Sequence, residues 1–180
     1  MNALIIDDLK EKREEIYKVL KECEIDSQCA TNEMDAKKSL KQKKYDIIIL
    51  DMQLPLSSED NRMNNYSGLS IMNSMDFYGY NIPTILVSIY SDFTSMKKSK
   101  PDETPALYIN NHVKCIERRE DLFDRPRITL KDIHEYFSLR YDNCYVGAVS
   151  YNLINYIWKT NLKRLVQEVI GAKQYENNNS

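Results

Sequence analysis

"KKYDIIILDMQLP", residues 43–55, drives four consecutive apolar residues, Ile47 to Leu50, straight into a carboxylate, Asp51, with Pro55 four residues on. A run that is apolar at every position has no face to offer water. It reads as a strand buried on both sides, the habit of parallel sheets covered by helices on each face. A charge at the end of such a strand falls at the rim of the sheet, beyond the buried run. Two other stretches repeat the pattern. "ALIIDD", residues 3–8, ends on Asp7 and Asp8, and "IPTILVS", residues 82–88, ends on Ser88. Pro83 sits at the start of the latter, where a missing N–H is tolerated.

Between these strands the apolar period changes to that of a helix. Residues 9–23 place Ile16, Val19, Leu20 and Cys23 on one stripe. Asp35 is a candidate cap for a helix with Ala36 and Leu40 on one face. Gly68 opens a helix to about Tyr78 with Leu69, Met72 and Met75 at helical spacing. Thr129 is a candidate cap for a helix carrying Ile133, Tyr136, Phe137 and Arg140. Residues 153–170 form a further helix with a broad apolar face that includes Leu153, Ile154, Ile157, Trp158 and Leu162, and Gly171 can end it. Residues 56–67 are polar and read as a long loop. Strands are expected at about 3–6, 25–30, 46–50, 84–88 and 145–150. Alternating strands and helices mean an α/β fold, a doubly wound five-stranded parallel sheet. The alternative site for the fifth strand, "PALYINN" (105–111), would leave the 153–170 helix unassigned, so 145–150 is preferred. That choice makes about 91–128 an insertion between the fourth and fifth strands, within a single domain of residues 1–172. Residues 173–180 are expected to be a disordered tail.

The chain has 180 residues, 42% hydrophobic and 29% charged, with a net charge of −2. This is the composition of a soluble globular domain. Nothing in it points to direct nucleic-acid binding. No apolar run approaches the roughly 20 residues of a membrane span, and the N-terminus lacks the pattern of a signal peptide. A cytoplasmic location follows as the expectation. The four cysteines, Cys23, Cys29, Cys115 and Cys144, lack zinc spacing and read as reduced thiols. The two histidines, His112 and His134, are too far apart in sequence to suggest a metal site.

In open parallel sheets, ligands bind outside the carboxyl ends of the strands. If the first and third strands are neighbours, Asp7, Asp8 and Asp51 converge there. Three adjacent carboxylates repel, and one tends to keep its proton unless a cation neutralises the group. Mg2+ suits such an all-oxygen site. A metal, a carboxylate nucleophile at Asp51 and a hydroxyl at Ser88 are parts for phosphoryl transfer.

"LIIDD", "IIILDMQLP", "SGLSIM" and "TILVS", in this order and spacing, resemble the receiver domain of bacterial response regulators. The resemblance implies a flavodoxin-like sheet of order 2-1-3-4-5. It implies that Asp51 accepts a phosphoryl group from a histidine kinase or phosphotransfer protein. It further implies that Asp8, Asp51 and the backbone carbonyl of Gln53 hold Mg2+, that Asp7 supports the ion, and that Ser88 is the switch hydroxyl. Pro55 matches the proline that shapes the following loop, and Gly68 the glycine before the third helix. Such a chain is a two-component signalling protein rather than an enzyme, at most dephosphorylating itself. Its output would pass through an unidentified partner protein, and a homodimer is a further expected association.

Two features depart from the family. The loop from Asp51 to Gly68 is longer than usual. The lysine that receivers carry at the end of the fifth strand is missing, with Ser150 or Tyr151 in its place. Lys114 is another cation that could reach the site. Two other readings compete. A phosphohydrolase of the haloacid dehalogenase type also uses a strand-end aspartate, but it needs a second acid two residues on, where this chain has Gln53. A pseudo-receiver, switching without phosphate, is favoured by the missing lysine and opposed by the intact acids.

Overall fold

The computed structural model describes residues 1–64, 67–89 and 130–178. The expected insertion at 91–128, Lys114 and the Thr129 cap therefore lie outside the described residues. The elements run β1 (Asn2–Ile6), α1 (Lys10–Glu22), β2 (Asp26–Ala30), α2 (Glu33–Gln42), β3 (Ile47–Leu50), β4 (Leu54–Ser57), β5 (Asp60–Asn64), α3 (Ser67–Phe77), β6 (Thr84–Ser88), α4 (Leu130–Arg140), β7 (Tyr145–Ser150) and α5 (Ile157–Asn178).

Five strands make one parallel sheet in the order β2-β1-β3-β6-β7. Counted within this sheet alone, the order is 2-1-3-4-5, as the receiver resemblance implies. The fifth strand is the expected 145–150, in register with β6 so that Ser88 faces Ser150. Because strand side chains alternate, the apolar runs feed two cores. Leu4, Ile6, Ile48, Leu50 and Leu86 pack with Leu40 of α2, Met72 of α3 and Phe137 of α4. Ala3, Ile5, Ile47, Ile49 and Val87 pack with Ile16 and Leu20 of α1 and Trp158 and Leu162 of α5. The sheet is thus doubly wound, and every residue of β3 is buried.

Four local expectations need correction. The polar stretch after Asp51 contains an antiparallel hairpin, β4–β5, in place of a long loop. Antiparallel pairing lets such short strands satisfy each other's backbone groups without an apolar run. The α2 cap is Asn32, not Asp35. The Asn32 side chain accepts the Asp35 N–H, so Asp35 lies within the first turn. The last helix starts at Ile157 rather than 153, because the Asn152 side chain takes the Ile154 N–H at 2.7 Å and holds that segment in a turn. Leu153, Ile154 and Ile157 are consequently exposed. The helix also continues through Gly171 to Asn178, across most of the residues assigned to a tail.

Candidate functional site

Three loops meet at the carboxyl edge of the sheet. The chain leaving β1 places Asp7 and Asp8 there, held by Asp7 N–H donating to the Ala30 carbonyl at 3.0 Å. The chain leaving β3 places Asp51, whose N–H donates to the Ile6 carbonyl at 2.9 Å. Neighbouring strands therefore deliver the three acids, and carboxylate oxygens of Asp7, Asp8 and Asp51 lie within 4.8 Å of one another. Asp7 and Asp51 are buried, and Asp8 is partly open to solvent. Ser88 ends β6, fully buried, and its hydroxyl has no hydrogen-bond partner among the described residues.

The site also holds a residue absent from the sequence-derived set. Lys12, in the first turn of α1, is buried with its side chain closed to solvent. Its ammonium donates to Asp51 Oδ2 at 2.7 Å. It also lies 2.7 Å from Asp7 Oδ2, as a charge contact outside good hydrogen-bond alignment. The missing strand-end lysine is therefore only half the story: Ser150 and Tyr151 do stand at the end of β7, yet the site has an ammonium, delivered by a helix. A signal for it existed. Lys12 is four residues before Ile16 and seven before Val19, so it falls on the core-facing stripe of α1. A charge on such a stripe needs a buried counter-charge.

The remaining bonds orient the acids. Asp51 Oδ1 accepts the Met52 N–H at 2.7 Å. Asp7 Oδ1 accepts the Leu9 N–H at 2.9 Å, turning the chain into α1, while the Asp7 carbonyl accepts from Arg13 Nη1 at 2.8 Å. Burial pushes the Asp7 carboxyl up to about 6; the Lys12 charge pulls against this and the Asp51 charge adds to it. Burial likewise raises Asp8 above its ordinary value, with the Asp51 charge contributing. Acids held up in this way gain from an added cation. The donor set fits Mg2+: hard carboxylate oxygens, one of them on the partly open Asp8. Lys12 occupies Asp7 and one oxygen of Asp51, which leaves Asp8 as the acid without that ammonium contact.

The chain thus combines a doubly wound sheet, an acidic cluster at its carboxyl edge and a buried hydroxyl one strand away. The family model described as "Response regulator receiver domain" matches residues 3–102, more than half of the chain. The chain belongs to the response regulator receiver family. Solved structures share the fold. The signal receiver domain of an HD domain-containing protein from Pseudomonas fluorescens Pf-5 is 12% identical, with a TM-score of 0.56 and 97% of each chain covered. That of a LuxO repressor protein from Vibrio parahaemolyticus, described as putative, is 15% identical, with a TM-score of 0.52, covering 98% of this chain and 94% of the other. Response regulator TrrA of Thermotoga maritima, solved in complex with Mg2+ and BeF, is 18% identical, with a TM-score of 0.51, covering 91% of this chain and 97% of the other. Comparison with curated protein sequences gives no match. Among the described residues, no helix is long and apolar enough to cross a membrane.

Proposed function

We propose that the chain is a receiver that accepts a phosphoryl group on Asp51 and, by doing so, changes its binding to a partner protein. The observation that carries this reading is the convergence of Asp7, Asp8 and Asp51 at the ends of β1 and β3, with Asp51 buried and held at both oxygens. Mg2+ would be held by Asp8, Asp51 and the backbone carbonyl of Gln53, with Asp7 in support. When bound it would offset charge on the transferring oxygens.

Asp51 acts as the nucleophile. One carboxylate oxygen attacks phosphorus, an O–P bond forms, and the N–P bond of a phosphohistidine on a kinase or phosphotransfer protein breaks. The electron pair of that bond returns to the ring nitrogen, so a protonated phosphoimidazole leaves as neutral imidazole. The Met52 N–H fixes the carboxylate plane. The Ser88 hydroxyl, buried without a partner among the described residues, can donate to a phosphoryl oxygen and so draw the end of β6 toward the site. Tyr151 N–H donates to the Ser88 carbonyl at 2.7 Å, so that movement would reach β7. One receiver unit that includes the whole of α5 to Asn178, beyond the expected boundary at 172, signalling from the cytoplasm without an enzymatic reaction of its own, belongs to the same proposal. A phosphate-independent module draws its case from the missing strand-end lysine, and the Lys12 ammonium weakens that case.

The test is label uptake from radiolabelled acetyl phosphate, with and without Mg2+. Wild type should label only with Mg2+, and Asp51→Asn should not label. Persistent labelling of Asp51→Asn, or none in wild type, would sink the reading.

A further inference from the structure

Lys12 stands where a lysine is least at home. It lies in the first turn of a helix, where the peptide dipoles already present positive charge, and it is fully withdrawn from water. Burying an ammonium costs several kcal/mol unless good partners offset it. Asp7 and Asp51 supply those partners at 2.7 Å each. The apolar neighbours Ile16, Val19 and Leu20 on the same stripe show that a hydrophobic side chain suits this face of α1. A packing role alone does not ask for a charge here.

Phosphorylation gives that charge a task. Transfer to Asp51 replaces one carboxylate charge with a phosphoryl group carrying about −2, beside Asp7 and Asp8. Among the described residues, Lys12 is the cation in contact with Asp51. We propose that Lys12 is a catalytic residue of phosphoryl acceptance: its ammonium pairs with an oxygen of the group arriving on Asp51 and carries that event to the last strand and helix.

The route outward is built from contacts. The Lys12 ammonium lies 5.7 Å from the centre of the Tyr151 ring, directly after β7. Tyr151 packs on Trp158 in the first turn of α5, ring centres 4.7 Å apart. One turn beyond Lys12, Glu15 pairs with Lys159 of α5, and Glu22 pairs with Lys163 at 2.9 Å. An ammonium drawn toward a phosphoryl oxygen changes its position against Tyr151, and α1 is already fastened to α5. Trp158 is the chain's single tryptophan, so its emission reports on this contact.

This inference rests on phosphorylation of Asp51, and the experiment separates the two. The full chain and its Lys12→Met, Lys12→Arg, Asp51→Asn and Lys12→Met/Ser150→Lys variants are incubated with radiolabelled acetyl phosphate and Mg2+, while Trp158 emission is followed. Wild type should label with a change in emission. Lys12→Met should label at least about tenfold more slowly, in line with loss of one electrostatic contact to a developing charge. At equal label it should lack the emission change. Ser150→Lys in that background, returning an ammonium from β7, should recover labelling. If Lys12→Met labels at the wild-type rate, Lys12 is a structural ion pair only and the inference falls while phosphorylation of Asp51 stands. If wild type does not label, both fall. Should Lys12→Met not fold, the decisive reading comes from 15N-lysine-labelled wild type, with the Lys12 ammonium signal assigned by Lys12→Arg. A shift of that signal on phosphorylation supports the pairing, and an unmoved signal overturns it.

Discussion

Gly68 shows how a single residue sets the site without touching a ligand. A Cβ at this position would lie 2.7 Å from the Asp51 carbonyl oxygen and 2.9 Å from Met52 Cα. Both are backbone atoms, so the overlap cannot be relieved by turning a side chain. The Gly68 N–H also donates to the Met52 carbonyl at 3.1 Å, fastening the start of α3 to the loop that carries Asp51. Gly68→Ala should therefore push α3 off that loop. The expected cost is about 1–3 kcal/mol of stability, the usual range for overpacking, read from urea unfolding, together with slower labelling of Asp51. Wild-type stability in Gly68→Ala would mean that the loop yields easily.

At the scale of elements, α2 depends on its first turn. Asn32 is buried and its side chain accepts the Asp35 N–H at 2.8 Å, one of the orphan donors of the helix start. Asn32→Ala should cost about 1 kcal/mol, seen as a lower urea midpoint at unchanged slope. Glu33 beside it joins α2 to α3, accepting from Lys37 at 2.7 Å and from Ser70 of α3 at 2.6 Å. Burial alone would raise its carboxyl, but the bonds from Lys37 and Ser70 outweigh burial and hold it below the ordinary 4.5. A folded-state value below the unfolded one means the chain gains stability from this carboxylate above pH 4.5. That gain disappears as pH falls through the lowered value. Glu33→Gln should therefore lose less stability on acidification from pH 4.5 downward than wild type does. Parallel pH curves for the two proteins would show that the pair contributes nothing.

The whole molecule couples to the acidic cluster through linkage. An ion that binds the folded chain and not the unfolded one raises stability, by about 2.7 kcal/mol at a hundredfold excess over Kd. Millimolar Mg2+ should raise the Tm of wild type in a scanning measurement, and Asp8→Ala should abolish most of the rise. Lys12 tempers the effect, because its ammonium already lies against two of the three carboxylates. A melting curve indifferent to Mg2+ would count against an ion at Asp8 and Asp51.

The strands were legible because a parallel sheet covered on both faces demands unbroken apolar runs, and "LIIDD", "IIILD" and "TILVS" are such runs, each ending at the rim. Asp7, Asp8 and Asp51 followed from those ends, since strand geometry alone carries the carboxylates to one edge. Helix boundaries were less legible: Asn32 and Asn152 take roles fixed by local hydrogen bonds that several nearby residues could equally supply, and the last helix runs on through Gly171. Lys12 was decided by tertiary structure. Its stripe on α1 announced a buried charge, but whether that charge met solvent, a stray acid or Asp51 depended on where α1 crosses the sheet. That crossing is set by the packing of Ile16, Val19 and Leu20 against β1, β3 and α5, and it brings an ammonium from 39 residues away in sequence to 2.7 Å from Asp51.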